Sequence, residues 1–462
     1  MKNKNRIVFL NILSTIVLQG ITFLTAPIFS RILGPENFGI FSVYTTWSTL
    51  ITYVFSLDTA STLNVARLYF PEEEKEKYQS SVLGLGVVLY TIFGMVVVLF
   101  RQSLADWMKM HELMLVLMLV HSFGKFCVNM LNSKFTFEFH AGKNCILSIF
   151  TTVCGVGLSL ILVNIFPKEN NYWGRVLGQV ATHAILAVFA CWFFFRKGKT
   201  FFNLEYWKFA VTLGAPIVLH SVSNLIMGQS DKVMLQHMTN DTIVGIYSLA
   251  ASFCMVIHLI WTSLNNSWSP FYYEYTKNGE IKEMKHHARN YIELYTILAS
   301  GFVLLSREVF HVFAGKEYWE GTEILPILSV GYYFVFLYSF PVNYEFYKKK
   351  TSSIALVTMS AAVVNIALNL CFIKSMGFVG AALATCISHL IQFLFHYLNA
   401  RFVIERGEFP FRFGFFLPYL LGYLGVVVLT VMTPGGWFVR WPIGAVLGIF
   451  ELYRIYKRKT IF

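Results

Sequence analysis

Ionised side chains inside long apolar runs are the residues of this sequence best suited to chemistry. Asp58 and Lys125 lie in two such runs, and Arg307 and Glu308 are adjacent in a third. Burying a charge in hydrocarbon costs at least a few kcal/mol, so each charge needs a partner, a wet cavity or a function. At helical rise, Asp58 and Lys125 lie about 9 and 12 Å from the same end of their runs. They are therefore expected either to form a salt bridge or to present a cation, with a carboxylate beside it, to an anionic ligand.

Arg307 and Arg31 could each lie at the membrane surface or bind an anion. Arg307 and Glu308 are consecutive, so they point to different faces of a helix and are poor partners for each other. Arg307 is expected either to extend to the membrane surface or to contribute to an anion site. Arg31 closes the first apolar run, where anchoring at the membrane interface is an ordinary role for arginine and anion binding is the alternative.

A polar stripe follows Pro216 in the seventh apolar run. It contains His220, Ser223, Asn224 and Gln229. A proline frees backbone groups that must be satisfied by neighbours or water, which favours a cavity-facing surface or a hinge. Hydrogen bonding between helices explains the same residues equally well.

Enzymatic motifs are absent from the sequence. Its seven cysteines all fall within apolar runs, without a CxxC pair or a His/Cys cluster at metal-ligand spacing. It also has no phosphate-binding loop and no nucleophile elbow. We therefore expect no catalytic residue, no metal and no cofactor.

Long apolar helices must position these charges. Of the 462 residues, 56% are hydrophobic and 13% are charged, whereas soluble proteins carry about 25% charged residues. A membrane helix needs about 20 mostly apolar residues. The sequence predicts an all-α integral membrane protein with about 14 such helices, at residues 7–30, 39–64, 80–100, 112–133, 145–166, 174–195, 209–228, 243–265, 291–313, 324–344, 353–373, 378–400, 413–432 and 437–453. The last two are the least secure, because Pro434, Gly435 and Gly436 could instead turn a re-entrant hairpin.

The net charge of +12 lies mainly in the connections between runs. With the N-terminus in the cytoplasm, 26 Lys and Arg fall on the cytoplasmic side and nine on the other, as the positive-inside rule requires. Both termini are therefore predicted to be cytoplasmic. The longest connection, residues 266–290, is too short for a soluble domain, and the scattered charge does not form a nucleic-acid-binding face.

An internal repeat is suggested by two matches at similar offsets. Residues 39–42 and 245–248 both read Gly-Ile-aromatic-Ser, 206 positions apart, and Gly174 corresponds to Gly377. Six spans per copy give parallel repeats, an architecture suited to alternating access. We expect an N-terminal lobe at residues 1–200, a C-terminal lobe at 201–408, and two further helices with a basic tail at 409–462.

Several motifs, taken in order along the chain, resemble the Wzx-type polysaccharide flippases of the multidrug/oligosaccharidyl-lipid/polysaccharide exporter superfamily. They are SRILGPENFG at 30–39, SDKVM at 230–234, VGIYS at 244–248, GKEYW at 315–319, ILPIL at 324–328 and GFVGAALAT at 377–385.

This resemblance implies a flippase that moves undecaprenyl-diphosphate-linked oligosaccharide repeat units across the bacterial cytoplasmic membrane for O-antigen, lipopolysaccharide or capsule synthesis. It implies that Arg31, Lys125 and Arg307 bind the diphosphate, and that Asp58 and Asp231 serve proton or sodium coupling. It also implies a monomer in contact with membrane lipids. An ion-coupled multidrug or small-molecule exporter of the same superfamily is the main alternative. A membrane glycan polymerase is a weaker one, because the outward loops are short and carry no paired acids.

Overall fold

The computed structural model describes residues 2–138, 140–404 and 409–458, and over these ranges the chain is helical with no β-strand. Short 3₁₀ segments lie at Thr59–Thr62, Lys168–Asn170 and Lys316–Ile324. The α-helices are α1 (Lys2–Ser56), α2 (Leu63–Tyr69), α3 (Glu72–Leu99), α4 (Arg101–Met108), α5 (Glu112–Phe137), α6 (Ala141–Val163), α7 (Tyr172–Gly198), α8 (Leu204–Met238), α9 (Asp241–Asn278), α10 (Ile281–Phe313), α11 (Leu325–Tyr347), α12 (Thr351–Leu398), α13 (Phe413–Met432) and α14 (Trp437–Arg458).

The predicted all-α membrane class is confirmed, and each of the fourteen apolar runs contains helix. Two runs share α1 and two share α12. A straight helix of 55 residues would be about 80 Å long, far more than the roughly 30 Å of hydrocarbon. Each of the two long helices is interrupted at a glycine: α1 breaks at Gly34 (φ 71°, ψ 170°) and α12 breaks at Gly377 (φ 57°, ψ −134°). A positive φ carries no steric penalty at glycine.

Length and hydropathy independently support membrane insertion. Ten helices in the described ranges are long and apolar enough to cross a bilayer, and Phe23–Ser56 with Thr59–Tyr69 forms a bent eleventh. This count treats α12 as one span and leaves out α14. Large apolar side chains such as Leu99 (76% exposed) and Val188 (72% exposed) remain uncovered by protein, as expected of surfaces that face lipid.

The prediction that residues 266–290 form a loop is wrong as to conformation. Helix α9 continues to Asn278 and α10 already begins at Ile281, so almost the whole segment is helical. The physical reason is packing: Trp268 and Tyr272 of α9 and Met284 of α10 are fully buried. Residues 266–290 were predicted to be a loop because the segment is too charged to be a membrane span. Its apolar residues at helical spacing are what identify it as helix.

Helix α14 is fixed to α10 by ion pairs near both ends. Arg440 pairs with Glu308, and Arg454 pairs with Glu293, whose second oxygen lies 3.6 Å from Arg458. Glu293 and Glu308 are about 22 Å apart at helical rise, and the pairing order makes the two helices antiparallel. The segment after Gly436 therefore runs along α10 rather than turning back as a short hairpin.

The chain divides into two compact units, Met1–Leu225 with Thr239–Gly245, and Ile226–Met238 with Ile246–Phe462. In the first unit α1, α3, α5, α6 and α7 pack together. In the second unit α10, α11 and α13 surround an aromatic core. Trp268 stacks on Tyr291 with 5.2 Å between ring centroids, and Tyr295 stacks on Phe336 at 4.0 Å.

Candidate functional site

A buried carboxylate, Asp231 of α8, is the centre of a polar site in the second unit. It is 2% exposed. Thr385 donates to its Oδ2 at 2.6 Å, Tyr247 donates to the same oxygen, and Asn369 Nδ2 donates to Oδ1 at 2.8 Å. Three helices, α8, α9 and α12, thus converge on one carboxylate through uncharged donors.

A second layer of hydrogen bonds orients this site. Asn365 Oδ1 accepts from Asn369 at 3.1 Å and from Ser230 at 2.9 Å, and its Nδ2 donates to Ser388 at 3.3 Å. Asn365, Asn369 and Ser388 are fully buried. Because buried polar groups need partners, this fixed geometry holds Asp231 in one position.

The Asp231 site is suited to binding a proton or a monovalent cation. A carboxylate has about four acceptor positions, and carboxylate, amide and hydroxyl oxygens are ligands for hard cations. Asp231 was predicted from the sequence as a site residue, but Asn369, Thr385 and Tyr247 were not. The signal was present, because Asn365 and Asn369 are spaced i, i+4 in an apolar run and therefore share one helix face.

Lys125 of α5 is half-buried, and its Nζ donates to Thr49 Oγ1 at 3.2 Å. One helical turn earlier, His121 is 1% exposed and shares a hydrogen bond of 3.3 Å between its Nδ1 and Ser48 Oγ. The ring of His183 meets it edge to face at 4.7 Å. The sequence analysis missed both histidines, which give Lys125 a polar surrounding within the first unit.

Asp58 lies just beyond the end of α1 and is 7% exposed. Its Oδ1 accepts from Ser61 at 2.9 Å and its Oδ2 accepts from Ser221 at 2.7 Å. Within the described part of the chain, no ion pair of 4 Å or less joins Asp58 to Lys125. The structure therefore gives the two charges separate hydroxyl partners.

The two predicted arginines lie in different surroundings. Arg31 is exposed on α1. Arg307 is half-buried on α10, and among the residues with described positions it has no hydrogen-bond or ion-pair partner. Its neighbour Glu308 instead pairs with the fully buried Arg440, which agrees with the expectation that Arg307 and Glu308 are poor partners.

In the polar stripe on α8, a hydrogen bond joins two of the predicted residues to each other. His220 Nε2 and Asn224 Nδ2 are 3.0 Å apart, one helical turn from each other. His220 is half-buried and Asn224 is exposed, while Gln229 is half-buried further along the helix. Of the predicted site residues, His220 and Asn224 are the pair that a hydrogen bond joins within the described ranges.

Arg175, at the start of the predicted helix 174–195, is a further residue that was not singled out from the sequence. It lies in α7, and its guanidinium stacks on the ring of Phe29 at 3.5 Å and lies 5.0 Å from Phe41. Its Nε and Nη1 are buried and have no hydrogen-bond partner within the described part of the chain. Stacking on aromatic rings is a recognised way to hold an arginine in apolar surroundings.

Together, these features define a multi-pass α-helical membrane protein whose polar sites are embedded in its helices. In the described residues no group of three His, Cys, Asp or Glu could hold a metal ion. The chain belongs to the family described as "Polysaccharide biosynthesis protein", whose pattern it matches over residues 6–275. The resemblance to a polysaccharide family, which the motifs suggested, is confirmed at the level of this family.

Two curated proteins of Haemophilus influenzae are similar over most of their length. Protein 1 of the Lsg locus is 22% identical over 364 residues, covering 75% of this chain and 86% of that protein. A second membrane protein is 22% identical over 361 residues, covering 74% and 84%.

Solved structures share the fold. The lipid II flippase MurJ in an inward closed conformation superposes with a TM-score of 0.68 and 20% identity, covering 95% of this chain and 99% of that one. An inward-facing multidrug-resistance transporter of the MATE family, in the MOP superfamily, gives a TM-score of 0.63 at 15% identity, covering 83% and 94%. At these identities the likeness establishes the fold.

Proposed function

We propose that the protein is a flippase for undecaprenyl-diphosphate-linked oligosaccharide repeat units, working by alternating access in the bacterial cytoplasmic membrane. The observation that carries this proposal is the combination of family and fold. A chain of the polysaccharide biosynthesis family has, over 95% of its length, the fold of a lipid II flippase. The product would serve a surface polysaccharide such as O-antigen, lipopolysaccharide or capsule.

The chemistry of the substrate assigns roles to the intramembrane cations. A diphosphate is anionic, and its passage requires positive charge at membrane depth. Lys125 has a single hydroxyl partner, Thr49, and Arg307 has no partner in the part of the chain that the structure describes. Both side chains can therefore be recruited by a phosphate without breaking an ion pair. Arg31, exposed at the end of the first run, would bind the same group at the outer side.

Asp231 is the residue that we assign to proton or sodium coupling. Its carboxylate lies in the second unit with uncharged donors, Thr385, Tyr247 and Asn369. Binding a cation there would change the charge of a buried group and the hydrogen bonds that join α8, α9 and α12. A polar stripe with His220, Asn224 and Gln229 would line the path of the glycan. The protein would act as a monomer, with both termini in the cytoplasm.

A translocation assay with purified protein tests this function. Proteoliposomes containing a fluorescent undecaprenyl-diphosphate oligosaccharide are treated with an impermeant reagent that reacts only with outer-leaflet glycan. We expect a protein-dependent increase in the accessible fraction. In cells, deletion of the gene should leave lipid-linked repeat units on the cytoplasmic face. Normal export in the deletion strain, together with no activity in vesicles, would contradict the proposal.

Multidrug export is the second candidate, because the MATE transporter shares the fold with a TM-score of 0.63. The deletion strain separates the two functions. If the protein is a drug exporter, the deletion strain should be more sensitive to cationic drugs and have unchanged surface polysaccharide. If it is a flippase, the strain should have unchanged drug sensitivity and less surface polysaccharide.

A further inference from the structure

The second predicted span is broken by two consecutive residues in left-handed backbone conformation. Leu57 has φ 49° and Asp58 has φ 45°. Neither is glycine, and such conformations cost roughly 1–3 kcal/mol each and persist where the surrounding structure holds them, often at ligand sites. The chain continues as the 3₁₀ segment Thr59–Thr62, and the two helical parts are bent by 55°.

The break places a carboxylate at a cavity. A cavity of about 320 Å³ adjoins Asp58. Backbone that leaves helical geometry at membrane depth is tolerated where it is buried in protein or lines a wet cavity. The described polar residues around the cavity are Tyr53, Asp58, Ser61, Asn129, Asn132, Ser133 and Ser221.

Two side chains at this cavity, Asp58 and Asn132, have oxygens that can accept further hydrogen bonds. Asp58 accepts from Ser61 and Ser221, which leaves about two of its four acceptor positions. The Oδ1 of Asn132 is buried and has no hydrogen-bond partner among the residues that the structure describes. A buried acceptor without a partner is unfavourable, so a ligand that donates hydrogen bonds to Asp58 and Asn132 would be stabilised here.

The lining also decides which ligand class fits. Among the described residues, it contains one carboxylate, two carboxamides and several hydroxyls, and no lysine, arginine or histidine. An anionic group such as phosphate has no counter-charge in such a cavity. The volume lies at the lower end of the range for small-molecule sites and corresponds to about ten waters at roughly 30 Å³ each, so it exceeds the needs of a bare cation.

We propose that this cavity binds one sugar residue of the transported glycan, an inference that rests on the proposed flippase function. Vicinal hydroxyls donate to the Asp58 carboxylate and to Asn132 Oδ1, and the Asn129 amide adds a further donor and acceptor. Tyr53 supplies the aromatic surface of the site. Lys125 and Arg307, which we assign to the diphosphate, are not among the described residues that line this cavity.

Saturation-transfer NMR on the full-length protein in lipid nanodiscs tests the sugar site. The probes are methyl glycosides of glucose, galactose and N-acetylglucosamine. We expect transfer to at least one glycoside with the wild type, and binding at least tenfold weaker in Asp58→Asn and Asn132→Ala. The matched control is Asn164→Ala, an exposed asparagine in α6's C-terminal turn, which should bind as the wild type does.

The outcomes separate the sugar site from the flippase function. No transfer to any glycoside with the wild type, or equal binding by Asp58→Asn and Asn132→Ala, overturns the sugar site. A sodium-dependent ²³Na signal that Asp58→Asn abolishes, without glycoside binding, would also overturn it by identifying a cation site. The translocation assay is run in parallel: wild-type flipping with no glycoside binding refutes only the sugar site, and absent flipping refutes the function. Size-exclusion profiles check that both variants are folded.

Discussion

Gly39 and Gly245 lie in a reciprocal backbone contact. A Cβ atom on Gly39 would overlap the carbonyl oxygen of Asp241, and a Cβ atom on Gly245 would overlap the carbonyl oxygen of Pro35. The two glycines are 206 positions apart, and Pro35 and Asp241 have the same separation. Gly39 contacts Asp241, and its counterpart Gly245 contacts Pro35, the counterpart of Asp241. Such an exchange of partners is the pattern that a two-fold axis produces. The contact therefore supports the interpretation of these turns as copies of one motif.

We predict that Gly39→Ala and Gly245→Ala each destabilise the protein and reduce transport. The added methyl group meets a rigid backbone carbonyl, and overpacking of this kind costs about 1–3 kcal/mol. Thermal unfolding in detergent should show a midpoint several degrees lower. The matched control is Gly228→Ala, where no described atom beyond the chain neighbours and the adjacent backbone of the same helix lies within 4 Å of the new Cβ. Alanine stabilises a helix relative to glycine, so this control should unfold at an equal or higher temperature. A fall of equal size in all three variants would contradict the packing argument.

The pair of fully buried Arg440 and half-buried Glu308 is predicted to stabilise α14 against α10. Arg440→Met leaves Glu308 without its cation. Breaking a fully buried pair costs about 3–5 kcal/mol, and the partial exposure of Glu308 puts the expected cost below that range. The double variant Arg440→Met/Glu308→Gln removes both charges, so it should be more stable than Arg440→Met alone. Unfolding midpoints of the wild type, both single variants and the double variant form a complete cycle. Additive effects would show that the pair contributes no coupling energy.

Asp231→Asn should retain the fold and lose ion-coupled transport. The side chain keeps its size and one acceptor oxygen, but it loses the charge that a proton or sodium ion would neutralise. We expect at least tenfold slower translocation under an imposed ion gradient, with an unchanged unfolding midpoint to within a few degrees. Thr385→Ser retains the hydroxyl donor at Asp231 Oδ2 and serves as the control. Gradient-driven transport by Asp231→Asn at the wild-type rate would refute the coupling role.

Lys125→Ala and Arg307→Ala should yield inserted protein that transports poorly. Both changes remove a cation that the anionic diphosphate requires, and neither breaks an ion pair in the described ranges. The expected loss is tenfold or more in the vesicle assay. Lys125→Arg keeps the charge and is expected to retain a larger share of activity. Full transport by both alanine variants would show that these cations are only structural.

Local composition was sufficient to predict the helices. A run of about 20 apolar residues forms a membrane helix whatever its neighbours are, because the bilayer demands internal backbone hydrogen bonding. The fourteen runs were therefore recognisable, and Gly34 and Gly377 mark the two places where long helices break. Residues 266–290 were misjudged because the burial of Trp268 and Tyr272 depends on ring contacts with Tyr291 and Phe411 that composition does not reveal.

Partners of the intramembrane charges were decided by the tertiary structure. Asp58 bonds Ser221, 163 positions away, rather than Lys125; Glu308 bonds Arg440, 132 positions away. Such pairings depend on how each helix is rotated and packed, and in a membrane this is set by shape and polar contacts between helices rather than by hydrophobicity. The sequence by itself determined that this chain crosses a membrane many times and buries charges there. Only the folded arrangement decided which oxygens and nitrogens meet, because that depends on distances between helices that are far apart in the chain.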